Sequence, residues 1–104
     1  MFHRKASVSV REVESLVSAK DIGFIDVRSI AEFQSGHAKG ARNYPLDTLS
    51  HHIDALKNYR EVYVICLSGG RSMVAVQSLN VSGVKAINVP GGTMAWRGAG
   101  LAME

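Results

Sequence analysis

Between residues 9 and 19 the apolar side chains Val10, Val13, Leu16 and Val17 recur every three or four positions with polar residues between them, the rhythm of a helix with one buried face. Ser9 precedes that run and Glu12 follows three residues later. In this pairing each side chain satisfies a free backbone N–H at a helix start, so a helix is predicted over residues 10–19. The rhythm then changes. GFIDV at 23–27 is a short β-prone run between turn signals, and the following SIAEFQSG carries a Ser29 cap and ends at Gly36, predicting a strand and then a short helix. Gly40 and Pro45 interrupt the next stretch, and from Leu46 onward Leu49, Ile53 and Leu56 predict another helix. VYVIC at 62–66 has no polar alternation apart from the Tyr63 hydroxyl, as expected of a strand buried on both faces. A helix of about three turns is predicted after the glycine pair at 69 and 70, closing near Gly83. A short strand at 85–90 and a terminal helix opening at the glycines 91 and 92 complete the pattern.

This succession of helices and strands predicts an α/β fold, a central parallel β-sheet flanked by helices on both faces, and a length of 104 residues predicts one domain over 1–104. Ligands of such sheets sit at the carboxyl ends of the strands. Cys66 stands at that end of the most apolar strand.

Composition narrows the function classes. With 46% hydrophobic and 20% charged residues the chain is expected to be ordered and globular. Its formal charge of +3 favours small anions or acidic partners, but Lys and Arg are scattered rather than clustered among aromatics, so nucleic acid is not an expected partner. No apolar stretch approaches the roughly 18 residues of a membrane span. Residues 1–10, MFHRKASVSV, lack the apolar core of a secretory signal, and a cytoplasmic location is expected. The single cysteine excludes an intrachain disulfide and a multi-cysteine zinc site. His51 and His52 are adjacent, hence about 100° apart on a helix, and neither a metal nor a cofactor is expected.

The loop after Cys66 carries the candidate chemistry. A helix start offers unpaired N–H groups and the positive end of a dipole, both of which favour negative charge. Gly69 and Gly70 allow a positive φ and close approach to a bound group, and Arg71 adds a permanent cation with a fork of donors. Together they would stabilise a thiolate, whose ordinary pKa is about 8.5, or an anion carried on its sulfur. The bland alternative is a small buried hydrophobe, the usual role of a lone cysteine.

Three segments in register resemble the single-domain rhodaneses, a family of sulfurtransferases. GFIDVRSIAEFQSGHAKGARNYP carries the family's Asp-Val-Arg, Glu-Phe, Gly-His and Gly-Ala signposts; VYVICLSGGRS carries its Cys-x-x-Gly-x-Arg-Ser loop; VPGGTMAWRGAGL carries its Gly-Gly, Trp and Ala-Gly-Leu ending. The resemblance spans nearly the whole chain. It implies a rhodanese-like fold and a catalytic Cys66 that accepts sulfane sulfur as a persulfide, with Leu67, Ser68, Gly69, Gly70, Arg71 and Ser72 forming the substrate-binding ring. The implied partners are a small anionic sulfur donor or a protein persulfide, and a thiol or cyanide acceptor. Four residues separate Cys66 from Arg71, as in the sulfur-handling members, whereas the related phosphatases and arsenate reductases have five. Leu67 occupies a position where many members carry a basic or polar residue, which leaves Arg71 as the loop's cation and favours a persulfide donor over thiosulfate. A non-catalytic persulfide carrier or regulatory module is the alternative.

Other polar residues invite structural readings. Arg28 and Glu32, four apart, are expected to pair along a helix, and Asp26 to cap the turn. His37 is expected to fasten its loop through a ring hydrogen bond, Trp96 to pack in the core in preference to forming a lip over the site entrance, and Ser72 either to cap a helix or to bond the loop or a substrate.

Overall fold

The computed structural model describes residues 8–104. The reading of residues 1–10 as carrying no secretory signal therefore falls largely outside the described residues. Four parallel strands, β1 (Ile22–Asp26), β2 (Arg42–Asn43), β3 (Glu61–Ile65) and β4 (Ala86–Asn88), form one sheet in the order β2-β1-β3-β4. Among the described residues five α-helices pack around it: α1 (Val10–Leu16), α2 (Ile30–Gln34), α3 (Ile53–Leu56), α4 (Gly70–Val81) and α5 (Gly92–Gly98). Among the described residues, no helix is long and apolar enough to cross a membrane.

Burial on both faces of β3 explains its unbroken apolar run. Val62 and Val64 point into one core with Leu49, Leu56 of α3, and Ala75 and Leu79 of α4. Tyr63 and Ile65 point into a second core with Val13 of α1 and Trp96 of α5, against which Phe33 of α2 packs. Helices thus cover both faces, as the alternation predicted. Cys66 extends the Val62 and Val64 side into the first core.

Local chemistry sets the element ends. The capping boxes at Ser9 with Glu12 and at Ser29 with Glu32 are both formed. Helix α1 stops at Leu16 rather than at 19, because the chain tightens into a turn in which Ala19 N–H donates to Leu16 O. The helix predicted from Leu46 onward is two pieces, a 3-10 segment (Leu46–His51) and α3. His52, whose φ is −116°, breaks it while its ring stacks on Tyr44 at 4.0 Å. Leu49 and Leu56 still reach the core because two tight turns preserve their common face. Strand β2 went unpredicted: two residues carry no periodicity.

Candidate active site

Strand β3 ends at Ile65, and the next residue, Cys66, opens the loop that becomes α4 at Gly70. The back of this loop is tied to α5. Thr93 donates its N–H (2.8 Å) and its hydroxyl (3.0 Å) to Cys66 O, and Met94 N–H donates to Leu67 O at 3.0 Å. In a planar trans peptide the N–H points opposite to the C=O, so tying Leu67 O to α5 turns the Ser68 N–H the other way, where it favours the thiolate. The approach leaves no room for a side chain at Gly92. A Cβ there would lie 2.5 Å from Cys66 O and 2.6 Å from Leu67 O, and its φ is +60°. Gly69 takes φ +119°, a left-handed conformation that suits glycine, and turns the chain into α4.

Cys66 is about 1% exposed, yet its sulfur is not treated as an apolar filler. Gly69 N–H donates to Sγ at 3.1 Å, and Ser72 Oγ lies 3.2 Å from it. Burial pushes the thiol up, but the Ser72 hydroxyl and the N–H groups of Ser72, Gly69 and Ser68 together outweigh burial and hold it below its ordinary value. Leu67 and Ser68 are exposed at the mouth. The buried-hydrophobe and the anion-cradle readings therefore describe two sides of one residue: its chain packs in the core while its sulfur collects donors.

Ser72 bonds the loop and is not the helix cap, which is Gly69 with no side-chain cap bond. Fully buried in the first turn of α4, it reaches Cys66 Sγ, Gly69 O (3.1 Å) and, closely, Asn88 Oδ1. One hydroxyl proton faces three acceptors, so the orientation of the Asn88 amide decides whether that proton is left for sulfur. Asn88, at the end of β4, escaped the sequence reading. Its signal was positional: it lies at the carboxyl end of a strand beside β3.

The charges are paired differently from expectation. Arg28 does not pair with Glu32; it is buried and grips Asp26 through Nε and a terminal nitrogen at 2.8 to 3.0 Å, with a further bond to Gly36 O. Asp26 also accepts the Arg28 N–H and so caps the turn as predicted. The reach is short because Asp26 and Arg28 are two residues apart, whereas Glu32 is engaged in its cap at Ser29. Glu32 instead meets Arg71 in a two-pronged ion pair, 2.7 and 2.8 Å. Arg71 and the Ser29 N–H hold the Glu32 carboxyl at a pKa of about 2. The fork of Arg71 is thus spent on a carboxylate rather than opened to the loop.

Elsewhere His37 Nδ1 bonds Phe33 O at 2.9 Å and the ring stacks on Phe33, fastening its turn. Trp96 is buried against Phe24 and donates to Ala102 O, a core residue as expected. A cavity of about 220 Å³ beside β1, lined by Lys20, Arg42, Tyr44 and Tyr59 among others, includes none of the loop residues 66–72.

Fold and loop together define a parallel α/β protein with its one cysteine set among backbone donors where strand passes into helix. The chain belongs to the rhodanese-like family, whose rhodanese-like domain model matches residues 9–99. It is 31% identical over 93 residues to a thiosulfate sulfurtransferase of Shewanella oneidensis, covering 88% of this chain and 92% of that protein. A putative sulfur carrier protein of Bacillus subtilis is 34% identical over 82 residues, covering 78% of this chain and 44% of that longer protein. Among solved structures, a rhodanese-related protein of Thermoplasma volcanium superposes with a TM-score of 0.84 at 26% identity, covering 96% of this chain and 98% of that one.

Proposed function

We propose that the protein is a sulfurtransferase whose nucleophile is Cys66, with Leu67, Ser68, Gly69, Gly70, Arg71 and Ser72 as the ring around the transferred sulfur. The observation that carries this reading is the pair of polar contacts on Sγ, from the Gly69 N–H at 3.1 Å and with Ser72 Oγ at 3.2 Å, at the start of a twelve-residue helix. The thiolate attacks the outer sulfur of a donor R-S-S⁻; the new S–S bond forms on Cys66, the old one breaks, and R-S⁻ leaves with the electron pair. Attack by cyanide or a thiolate on the outer sulfur of Cys66-S-S⁻ then returns the Cys66 thiolate and releases thiocyanate or a new persulfide. Neither step needs a metal or an external oxidant. The persulfide keeps a negative charge one atom further out, where the first-turn N–H groups of α4 lack intrahelical acceptors.

A four-residue gap between Cys66 and Arg71, and an Arg71 already occupied by Glu32, speak against a phosphatase or arsenate reductase, which would need that fork for a tetrahedral oxyanion. A persulfide carrier that unloads only within a complex is the second reading, favoured by the near-complete burial of Cys66.

The test is to incubate reduced protein with thiosulfate or a glutathione persulfide, read its intact mass, then add cyanide and assay thiocyanate, with Cys66→Ser as control. Gain of one sulfur by wild type alone, followed by repeated thiocyanate release, is the expected result. If wild type gains no sulfur that the variant lacks, the reading is wrong; loading without turnover on small acceptors identifies a carrier.

A further inference from the structure

Arg71 is the only basic side chain between Cys66 and the end of α4. Its two terminal nitrogens are engaged one to one by the two oxygens of Glu32, at 2.7 and 2.8 Å. Glu32 cannot easily swing away. Its Oε1 also accepts the N–H (3.2 Å) and the hydroxyl (3.1 Å) of Ser29 in the capping box of α2. The cation that the sequence placed beside the cysteine is therefore neutralised by a carboxylate held from a different helix. Two apolar side chains are exposed at the same loop: Leu67 itself and Met94 in the first turn of α5, whose N–H is bonded to Leu67 O.

We propose that Glu32 is a specificity-determining residue that, by cancelling the charge of Arg71, sets the site against a compact dianion such as thiosulfate and in favour of sulfur donors with a low-charge, apolar carrier. This rests on the sulfurtransferase reading of Cys66 and refines it. A dianion entering such a mouth gives up hydration without gaining a free cation, and meets a fixed carboxylate behind Arg71. A donor with one charge and an apolar body loses less and covers Leu67 and Met94. Glu32 acts through Arg71 and touches no reacting atom, so it is a positioning residue.

Two donors separate the effects of charge from those of chemistry. Thiosulfate gives Cys66-S-S⁻ and sulfite; benzenethiosulfonate, a monoanion with an apolar ring, gives the same persulfide and benzenesulfinate. The quantity to measure is the ratio of kcat/KM for thiosulfate to that for benzenethiosulfonate, with cyanide as acceptor, in wild type, Glu32→Gln and Glu32→Asp. Removing the carboxylate charge should raise the ratio about tenfold or more, chiefly through a lower KM for thiosulfate. Glu32→Asp keeps the charge and should leave the ratio within about threefold of wild type. Loss of the α2 cap alone would slow both donors together and leave the ratio where it was. An unchanged ratio in Glu32→Gln overturns the proposal. Should that variant not fold, wild type still decides, because a KM for thiosulfate no higher than that for benzenethiosulfonate overturns it equally. If neither donor loads a sulfur onto wild-type Cys66, the sulfurtransferase reading fails first, an outcome distinct from loading by both donors with an unmoved ratio.

Discussion

Ser72→Ala removes one oxygen and puts a number on the cradle. In the native protein the Ser72 hydroxyl, fully buried, lies 3.2 Å from Cys66 Sγ and is the largest single influence favouring the thiolate. A hydrogen bond to a charged group contributes about 1.5–3 kcal/mol. Every 1.36 kcal/mol changes the ratio of thiolate to thiol tenfold, so the thiolate fraction near neutral pH should fall about tenfold to a hundredfold. The remaining donors, the N–H groups of Ser68, Gly69 and Ser72, are backbone and survive the substitution. The assay is the ultraviolet absorbance of the thiolate across pH, with Cys66→Ser as blank, run alongside single-turnover sulfur loading. Wild type should titrate below the roughly 8.5 of a free thiol. Its loading rate should rise with pH and level off once the thiolate is fully formed. In Ser72→Ala the plateau should be reached only at higher pH, and raising the pH should recover most of the lost rate. An unmoved titration would refute the hydroxyl's assigned role. So would a loss of rate that pH does not recover, which would point to geometry instead of ionisation.

Three further outcomes test the scaffold. Gly92→Ala should cost about 2 kcal/mol or more by thermal or urea unfolding, because its Cβ would overlap Cys66 O and Leu67 O at a positive φ, and it should slow loading as well. Asp26→Ala leaves Arg28, 3% exposed, buried without its carboxylate and should destabilise by about 3–5 kcal/mol in the same measurement. Glu32, lowered from 4.5 to about 2 in the fold, binds its proton more readily when unfolded; its contribution is fully present above the ordinary carboxylate value and is lost as pH falls through about 2. Urea unfolding should therefore show the gap between wild type and Glu32→Gln narrowing from pH 6 towards pH 2, and a constant gap would contradict the ion pair.

The strands and helices were legible where burial imposes a period. Val62 to Ile65 reads as a two-sided strand because both faces are core, and Val10, Val13 and Val17 mark the face that α1 lays on the sheet. The backbone half of the site was legible too: a glycine pair after a strand-end cysteine announces donors with room to converge. Pairings between segments far apart in sequence were not. Glu32 lies four residues from Arg28, which suggested a helical pair, yet it bonds Arg71 thirty-nine positions away. Spacing along one helix reports only local neighbours, while which end of which strand delivers a side chain is set by the strand order. Asn88 was invisible for the same reason, since its contact with Ser72 exists only once β4 lies beside β3.

A crystal structure of the sulfur-loaded protein decides whether the loop after β3 holds an anion on the sulfur of Cys66. A second sulfur should be bonded to Cys66 Sγ and seated within hydrogen-bond reach of the backbone N–H groups at the start of α4, with Arg71 still paired to Glu32. A terminal sulfur turned away from those N–H groups into solvent, or a loaded protein whose extra sulfur is not on Cys66, would contradict that role of the loop.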